Sequence, residues 1–153
     1  MNKYLALDLG TTTGWAMKEG HRLMSGFDNF SLKRGEGGGM RFLRFKRWLE
    51  ELTQDIELDV VFYELVMSHK GADAAHIYGG LQALLTAWCE EHEIPYQGIG
   101  VGTVKKFWTG KGNANKEKMI AEANRRGFLV VDDNEADAIA VLECGVAGLE
   151  RAP

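Results

Sequence analysis

Two carboxylates in this chain stand where a buried β-strand would carry apolar side chains. Lys3-Tyr-Leu-Ala-Leu-Asp-Leu9 is an almost continuous apolar run, as in a central strand covered on both faces, and Asp8 interrupts it. Asp59-Val-Val-Phe-Tyr-Glu64 repeats the pattern and again ends in an acid. A buried carboxylate is costly unless it is paired, hydrogen-bonded or bound to a cation. Gly10-Thr-Thr-Thr-Gly14 follows Asp8 as a hairpin turn with a glycine at each end, leaving open backbone beside the carboxylate. The plain structural use of Asp8 is to accept hydrogen bonds from those turn amides. A third acidic stretch lies far along the chain. Asn134 and Asp137 are spaced i,i+3, and Asp133 and Asp137 i,i+4, so either pair shares a helix face while Glu135 turns away. Asp133 and Asn134 are also the residue types that cap a helix start. Three acids from distant segments repel one another unless a divalent cation neutralises them. Oxygen donors with no Cys or His cluster favour a hard ion, Mg²⁺ or Mn²⁺. Two such ions about 4 Å apart activate a water and stabilise the leaving oxygen of a phosphodiester.

The elements that must position these acids follow from periodicity. After the first strand, Trp15-Ala-Met17 resumes a strand, and Arg22 to Phe30 forms a third, antiparallel to it. A glycine-rich loop, Arg34 to Gly39, precedes a helix over about Met40 to Gln54 with Phe42, Phe45, Leu49 and Leu52 on one stripe. The strand ending at Glu64 leads through a loop to a long helix, about Ala72 to His92, that contains Gly79-Gly80. A glycine pair inside a helix costs stability and marks close packing, within the chain or across a dimer. Pro95 to Ile99 is a short strand, Thr103 to Trp108 a short helix, and Asn115 caps a helix running to Arg126. Phe128 to Val131 is a short extended segment, and the last helix runs from Asp133 or Asn134 to about Leu149. Three consecutive strands followed by helices alternating with strands predict an α/β fold, a mixed sheet flanked by helices. No repeat or linker divides the chain, so residues 1–153 read as one domain.

Composition bounds the partners. Apolar residues make up 45% and charged residues 26% of 153, an ordinary globular balance with a core that needs no staples. The net charge of −4 hides a segregation. Lys105, Lys106, Lys111, Lys116, Lys118, Arg125 and Arg126 crowd one segment with only Glu117 and Glu122 against them, and Arg41, Arg44, Lys46 and Arg47 form a second basic group. A basic face on an acidic protein suits phosphate binding. Cys89 and Cys144 have no ligand spacing and read as buried free thiols of a reducing cytoplasm. No run is long enough to span a membrane, and no signal peptide opens the chain. Trp15, Trp48, Trp88 and Trp108 are expected in the core. Trp108, beside Lys105 and Lys106, is the one placed to stack on a base.

Several of these stretches together resemble a known family. Asp8-Leu-Gly-Thr-Thr-Thr-Gly-Trp15, Tyr63-Glu64, Val104-Lys105 with Gly110-Lys-Gly-Asn-Ala-Asn-Lys116, and Asn134-Glu-Ala-Asp-Ala-Ile-Ala140 are similar, in order, to the motifs of RuvC-type Holliday-junction resolvases, in particular the divergent branch of bacteriophages. The resemblance spans residues 8 to 140. It implies a ribonuclease H-like fold, a homodimer, Mg²⁺-dependent cleavage of branched DNA, and metal ligands at Asp8, Glu64 and Asp137. For a phage protein it implies the cytoplasm of the bacterial host. Lys105 and Lys116 match basic positions used at the scissile phosphate or the DNA backbone, with Lys106 and Lys111 beside them. Lys116 is accordingly counted with the catalytic residues. In the loop after Glu64, Met67, His69 and Lys70 are further DNA-contact candidates, and His69 could also assist proton transfer.

Two positions depart from the family pattern. Asn134 stands where relatives commonly place Asp or His. Its amide oxygen binds a hard cation more weakly, so either it serves as fourth ligand or Asp133 substitutes, and the match in register favours Asn134. Met67 stands where some relatives carry an aromatic that stacks into the junction; methionine can wedge between bases but has no stacking face. Two other readings compete. One is a branched-DNA-binding protein without nuclease activity, if Asn134 disables the metal site. The other is a phosphate-binding hairpin of the actin and sugar-kinase group, which needs a second domain and a second glycine-rich hairpin that this chain lacks. The expectation is a structure-specific endonuclease acting on four-way junctions, forks or flaps.

Overall fold

The computed structural model describes residues 1–152. Its strands are β1 (Lys3–Asp8), β2 (Thr12–Glu19), β3 (Arg22–Asn29), β4 (Val60–Leu65) and β5 (Tyr96–Gly100). Its helices are α1 (Gly39–Leu52), α2 (Ala72–Glu91), α3 (Val101–Thr109), α4 (Lys116–Arg125) and α5 (Asp133–Arg151). The sheet order is β3-β2-β1-β4-β5. β1, β4 and β5 run parallel, and β2 lies antiparallel between β3 and β1. This is the expected mixed sheet flanked by helices.

Alternation along the two central strands decides which side chains face which helices. Leu5 and Leu7 of β1, with Val61 and Tyr63 of β4, join the core under α1 and α2. Ala6 and Phe62 join the opposite core, built with α3, α4 and α5. Side chains in a strand repeat every second residue, so Asp8 lies on the Ala6 face and Glu64 on the Phe62 face. Ala6 pairs with Phe62, and Leu7 with Tyr63, across the parallel ladder. Asp8 and Glu64 are therefore the next positions on adjacent strands, both turned toward α5.

Helix α5 can lie close against the sheet because its inner face is small. Ala136 and Ala140, one turn apart, are fully buried. A Cβ at Gly14 of β2 would overlap the backbone carbonyl of Asn134, and one at Gly145 would overlap the Phe62 ring. The first collision is with backbone at the start of α5. The second, further along α5, is with the Phe62 side chain of β4.

Several boundaries differ from the sequence reading. Helix α3 starts at Val101, directly after β5, rather than at Thr103, and ends on Gly110 in the left-handed region (φ 88°). Phe128 to Val131 pairs with no strand; the Asn124 side chain instead holds Val130. Asn115 caps α4 as expected, accepting from the Lys118 amide at 3.0 Å. The cap of α5 is Asp132, which accepts from the Glu135 amide at 2.9 Å, so Asp133 and Asn134 both lie inside the first turn. Gly80 packs within the chain, against Phe42, whereas Gly79 faces open space. Both cysteines are free and buried, and burial pushes the Cys89 thiol up to about 12. Trp108 is core rather than a base platform. It is 2% exposed, donates to the Met119 carbonyl at 3.1 Å, and is covered by the Arg126 guanidinium 3.9 Å from its ring centroid.

Candidate active site

The site lies at the C-terminal ends of β1 and β4, where the first turns of α5 cross them. Asp8 is half-buried and Glu64 is buried. The turn does not satisfy Asp8 in the way a structural carboxylate would require: the Gly10 amide is directed at the Thr13 hydroxyl (3.4 Å), and that hydroxyl donates back to the Gly10 carbonyl at 2.8 Å. Asp8 instead shares its surroundings with other acids. Burial raises its pKa well above the ordinary aspartate value, and Glu64, Asp137, Asp133 and Asp132 each raise it further.

Asp137 shows the same conflict from the helix side. Its carboxyl is pushed up to about 7, first by burial and then by Glu64 and Asp133, with Lys105 and Lys116 opposing. Its Oδ1 is buried without a hydrogen-bond partner. Glu64 is raised by burial and held down by Lys105. Asp133, one turn before Asp137, lies 3.6 Å from the Lys116 ammonium. Five acids from three segments and two lysines from two more thus share one electrostatic environment.

The donor set fits a hard divalent cation. All donors are oxygens, one buried oxygen lacks a partner, and the acids stay ionised together only at a cost that a cation removes. As they stand, the acids do not close into a ready-made ligand sphere; among the described residues no group of three His, Cys, Asp or Glu does.

The other sequence candidates divide. Lys105 and Lys116 join the acids, whereas Lys106 and Lys111 are exposed. Lys111 lines a shallow hollow with Thr109, Lys118 and Arg125. Asn134 follows Asp133 with its backbone carbonyl against Gly14, and Glu135 is turned toward β3, where its Oε2 accepts from the Ser25 hydroxyl at 2.7 Å. Met67 is 84% exposed in the β4–α2 loop, and Lys70 is exposed nearby. The His69 ring lies 4.9 Å from the Tyr78 ring. In the second basic group, Arg44 is engaged by Glu36 at 2.7 Å.

Tyr78 itself carries no signal in the sequence, yet it secures the end of β4. Its hydroxyl donates to the Glu64 carbonyl at 2.7 Å and accepts from the Val66 amide at 3.1 Å. A buried tyrosine at helical spacing reads as core, and only the tertiary arrangement reveals that it grips the backbone of a site residue. Gly14 is similarly silent until the helix that needs it is in place.

No protein-family model matches the chain, and no curated relative does. Solved structures do. The chain is similar to Thermus thermophilus RuvC with a TM-score of 0.77 and 20% identity, over 97% of this chain and 95% of that one. The fold is that of RuvC. The yeast mitochondrial Holliday junction resolvase Ydc2 gives a TM-score of 0.62 at 14% identity, covering 92% of this chain and 75% of that one. The fowlpox virus resolvase, solved with substrate Holliday junction DNA, gives 0.59 at 10% identity, over 97% and 99% of the two chains. In this RuvC fold the acids sit at the end of the two central strands. Among the described residues no helix is long and apolar enough to cross a membrane.

Proposed function

We propose that the chain is a RuvC-type, structure-specific endonuclease that hydrolyses phosphodiesters in four-way junctions or other branched DNA. One observation carries the reading: Asp8, Glu64, Asp133 and Asp137 meet at one end of a RuvC-like sheet, with a buried Asp137 oxygen left unpartnered. The motif spacing supports the bacteriophage-like branch and a nuclease domain spanning residues 1–153, at work in a host cytoplasm. Asp8, Glu64 and Asp137 are the proposed metal ligands. For the fourth place the register match favours Asn134, but Asp133 shares the Asp137 face one turn earlier and brings the anionic oxygen that a hard cation prefers. We assign it to Asp133.

A divalent cation held there, Mg²⁺ or Mn²⁺ and two ions on this reading, supplies Lewis acidity that makes a water nucleophilic and steadies the leaving oxygen. The protein's own part is placement and charge. Adjacent strand ends hold Asp8 and Glu64 side by side, and Tyr78 fixes the backbone beneath Glu64. The Asp132 cap and the Gly14 contact set where α5 begins, and so where Asp133 and Asp137 stand. Lys116, with a side chain 76% exposed, is free to turn from Asp133 to a phosphate and stabilise the charge that develops there. Lys105, Lys106 and Lys111, with Lys70 on the far side, supply backbone contacts that give affinity without sequence choice. A two-fold dimer would supply the paired incisions that resolving a junction requires.

The experiment is cleavage and binding of a labelled four-way junction by Asp8→Asn, Glu64→Gln and Asp137→Asn. Each is expected to abolish cutting while leaving junction affinity within a few-fold, since affinity comes mainly from phosphate contacts. Mg²⁺-dependent turnover by Asp8→Asn at the wild-type rate would remove Asp8 from the site. Binding without cutting by the wild-type chain would leave a junction-binding protein.

A further inference from the structure

We propose that Leu129 and Val131 form an apolar strip that packs against the bases of the DNA strand leading away from the scissile phosphate. The inference rests on the nuclease reading above and adds a recognition element to it. Leu129 and Val131 are 96% and 92% exposed, the most exposed large apolar side chains among the described residues. They are not on a slack loop. Val130 between them is buried, and the Asn124 side chain grips it from both sides, donating to its carbonyl at 3.1 Å and accepting from its amide at 3.0 Å. The segment is further tied to the end of α4 by the Phe128 amide, which donates to the Ala123 carbonyl at 3.0 Å. The chain is thus held so that one aliphatic side chain goes into the core and its two neighbours go into solvent. Exposed hydrophobics scattered singly need no explanation, but two presented together on a pinned segment do.

The position of the strip points to its occupant. Val131 lies two positions before Asp133 and Leu129 four, which limits their reach to about 7 Å and about 14 Å. A DNA strand rising about 3.4 Å per nucleotide covers that distance in roughly two to four steps. Lys116 stands at the near end of the strip, paired with Asp133, and Lys118 and Arg125 lie on the same helix, α4. Cations beside exposed aliphatics suit a ligand with charged phosphates on one edge and apolar base faces on the other. The geometry also has a counterpart across the sheet. The β4–α2 loop leads to the α1–α2 face and carries the exposed Met67, whereas the α4–α5 loop lies on the opposite face. Exposed apolar side chains therefore flank the acids from both sides. Aliphatic side chains of this kind enter base steps and unstack them. At a branch point the bases are already partly unstacked, so the strip gains most where the DNA is interrupted.

The test is the double variant Leu129→Ser/Val131→Ser, compared with the wild-type chain and with Asp137→Asn. Melting temperature, Mn²⁺ affinity, mass by light scattering, junction affinity across a salt series, and emission of a 2-aminopurine placed beside the branch are measured. The double variant is expected to melt at or above the wild-type temperature, bind Mn²⁺ unchanged and keep its mass. Its junction affinity is expected to fall about tenfold with the salt slope preserved, and the rise in 2-aminopurine emission on binding to be lost. Wild-type junction affinity and wild-type emission in the variant would overturn the proposal. So would a change in mass, which would make the strip a subunit contact, or loss of the fold, which would make it packing. If the wild-type chain binds no junction, the nuclease reading has failed. If the wild type binds and cuts while the double variant matches it, only the strip is wrong.

Discussion

Asp137 concentrates the chemistry at the scale of single residues. One of its oxygens is buried without a partner, and its carboxyl is pushed up to about 7 by burial and by Glu64 and Asp133. The sign of the resulting pH dependence follows directly. A carboxyl whose folded-state pKa is raised keeps its proton in the native state where the unfolded chain has already released it. That stabilisation is complete below the ordinary aspartate value of 3.8 and is lost as pH rises through about 7. In EDTA the melting temperature should therefore fall by several degrees between pH 5 and pH 8. Asp137→Asn should flatten that decline, and millimolar Mg²⁺ should offset it in the wild type. A melting temperature independent of pH in EDTA would show that neither burial nor the neighbouring acids raise the Asp137 carboxyl. The neighbouring positions separate by metal titration of cleavage. Asp133→Ala should raise the Mg²⁺ concentration for half-maximal cutting about tenfold or more, while Asn134→Asp should change it little. The inverse result would return the fourth place to Asn134.

Strands and helices determine whether these residues meet, and here the sequence was informative in some places and mute in others. Asp8 and Glu64 were legible because each breaks an apolar strand at its end, and a period of two puts both on one face. The i,i+4 spacing of Asp133 and Asp137 was legible for a similar reason. The cap was displaced by one residue because any of Asp132, Asp133 and Asn134 suits that role, and only the packed helix chooses among them. Tyr78 and the Asn124 clamp leave no sequence signal because each acts on backbone made close by tertiary folding. Gly14 is the clearest case, since its need to lack a side chain comes from a helix about 120 residues away. Gly14→Ala should force the start of α5 from the sheet, costing about 1–3 kcal/mol of stability and weakening Mn²⁺ binding about tenfold. Gly145→Ala, which meets the Phe62 ring instead, should lose stability but keep Mn²⁺ affinity. Equal Mn²⁺ affinity in a folded Gly14→Ala protein would separate the contact from the site.

For the whole molecule, the outer face of α2 is the natural place for a two-fold contact. Ala72, Ala75, Gly79, Ala83 and Ala87 are all exposed along it, and Gly79 faces open space. Small residues at helical spacing let two such helices approach closely, and a dimer built there would be symmetric. Light scattering should give a mass near twice 17.0 kDa, and Gly79→Leu should shift it toward 17.0 kDa. A monomer both free and on DNA would contradict the dimer. Whether the acids at the end of this sheet cut DNA at branch points is decided by incubating the wild-type chain with an end-labelled four-way junction and with a linear duplex of the same arm sequence, each with Mg²⁺ and with EDTA. Strand cleavage of the junction is expected in Mg²⁺ alone, with the duplex left intact under both conditions. Cleavage in EDTA, equal cleavage of the duplex, or an uncut junction in Mg²⁺ would contradict it.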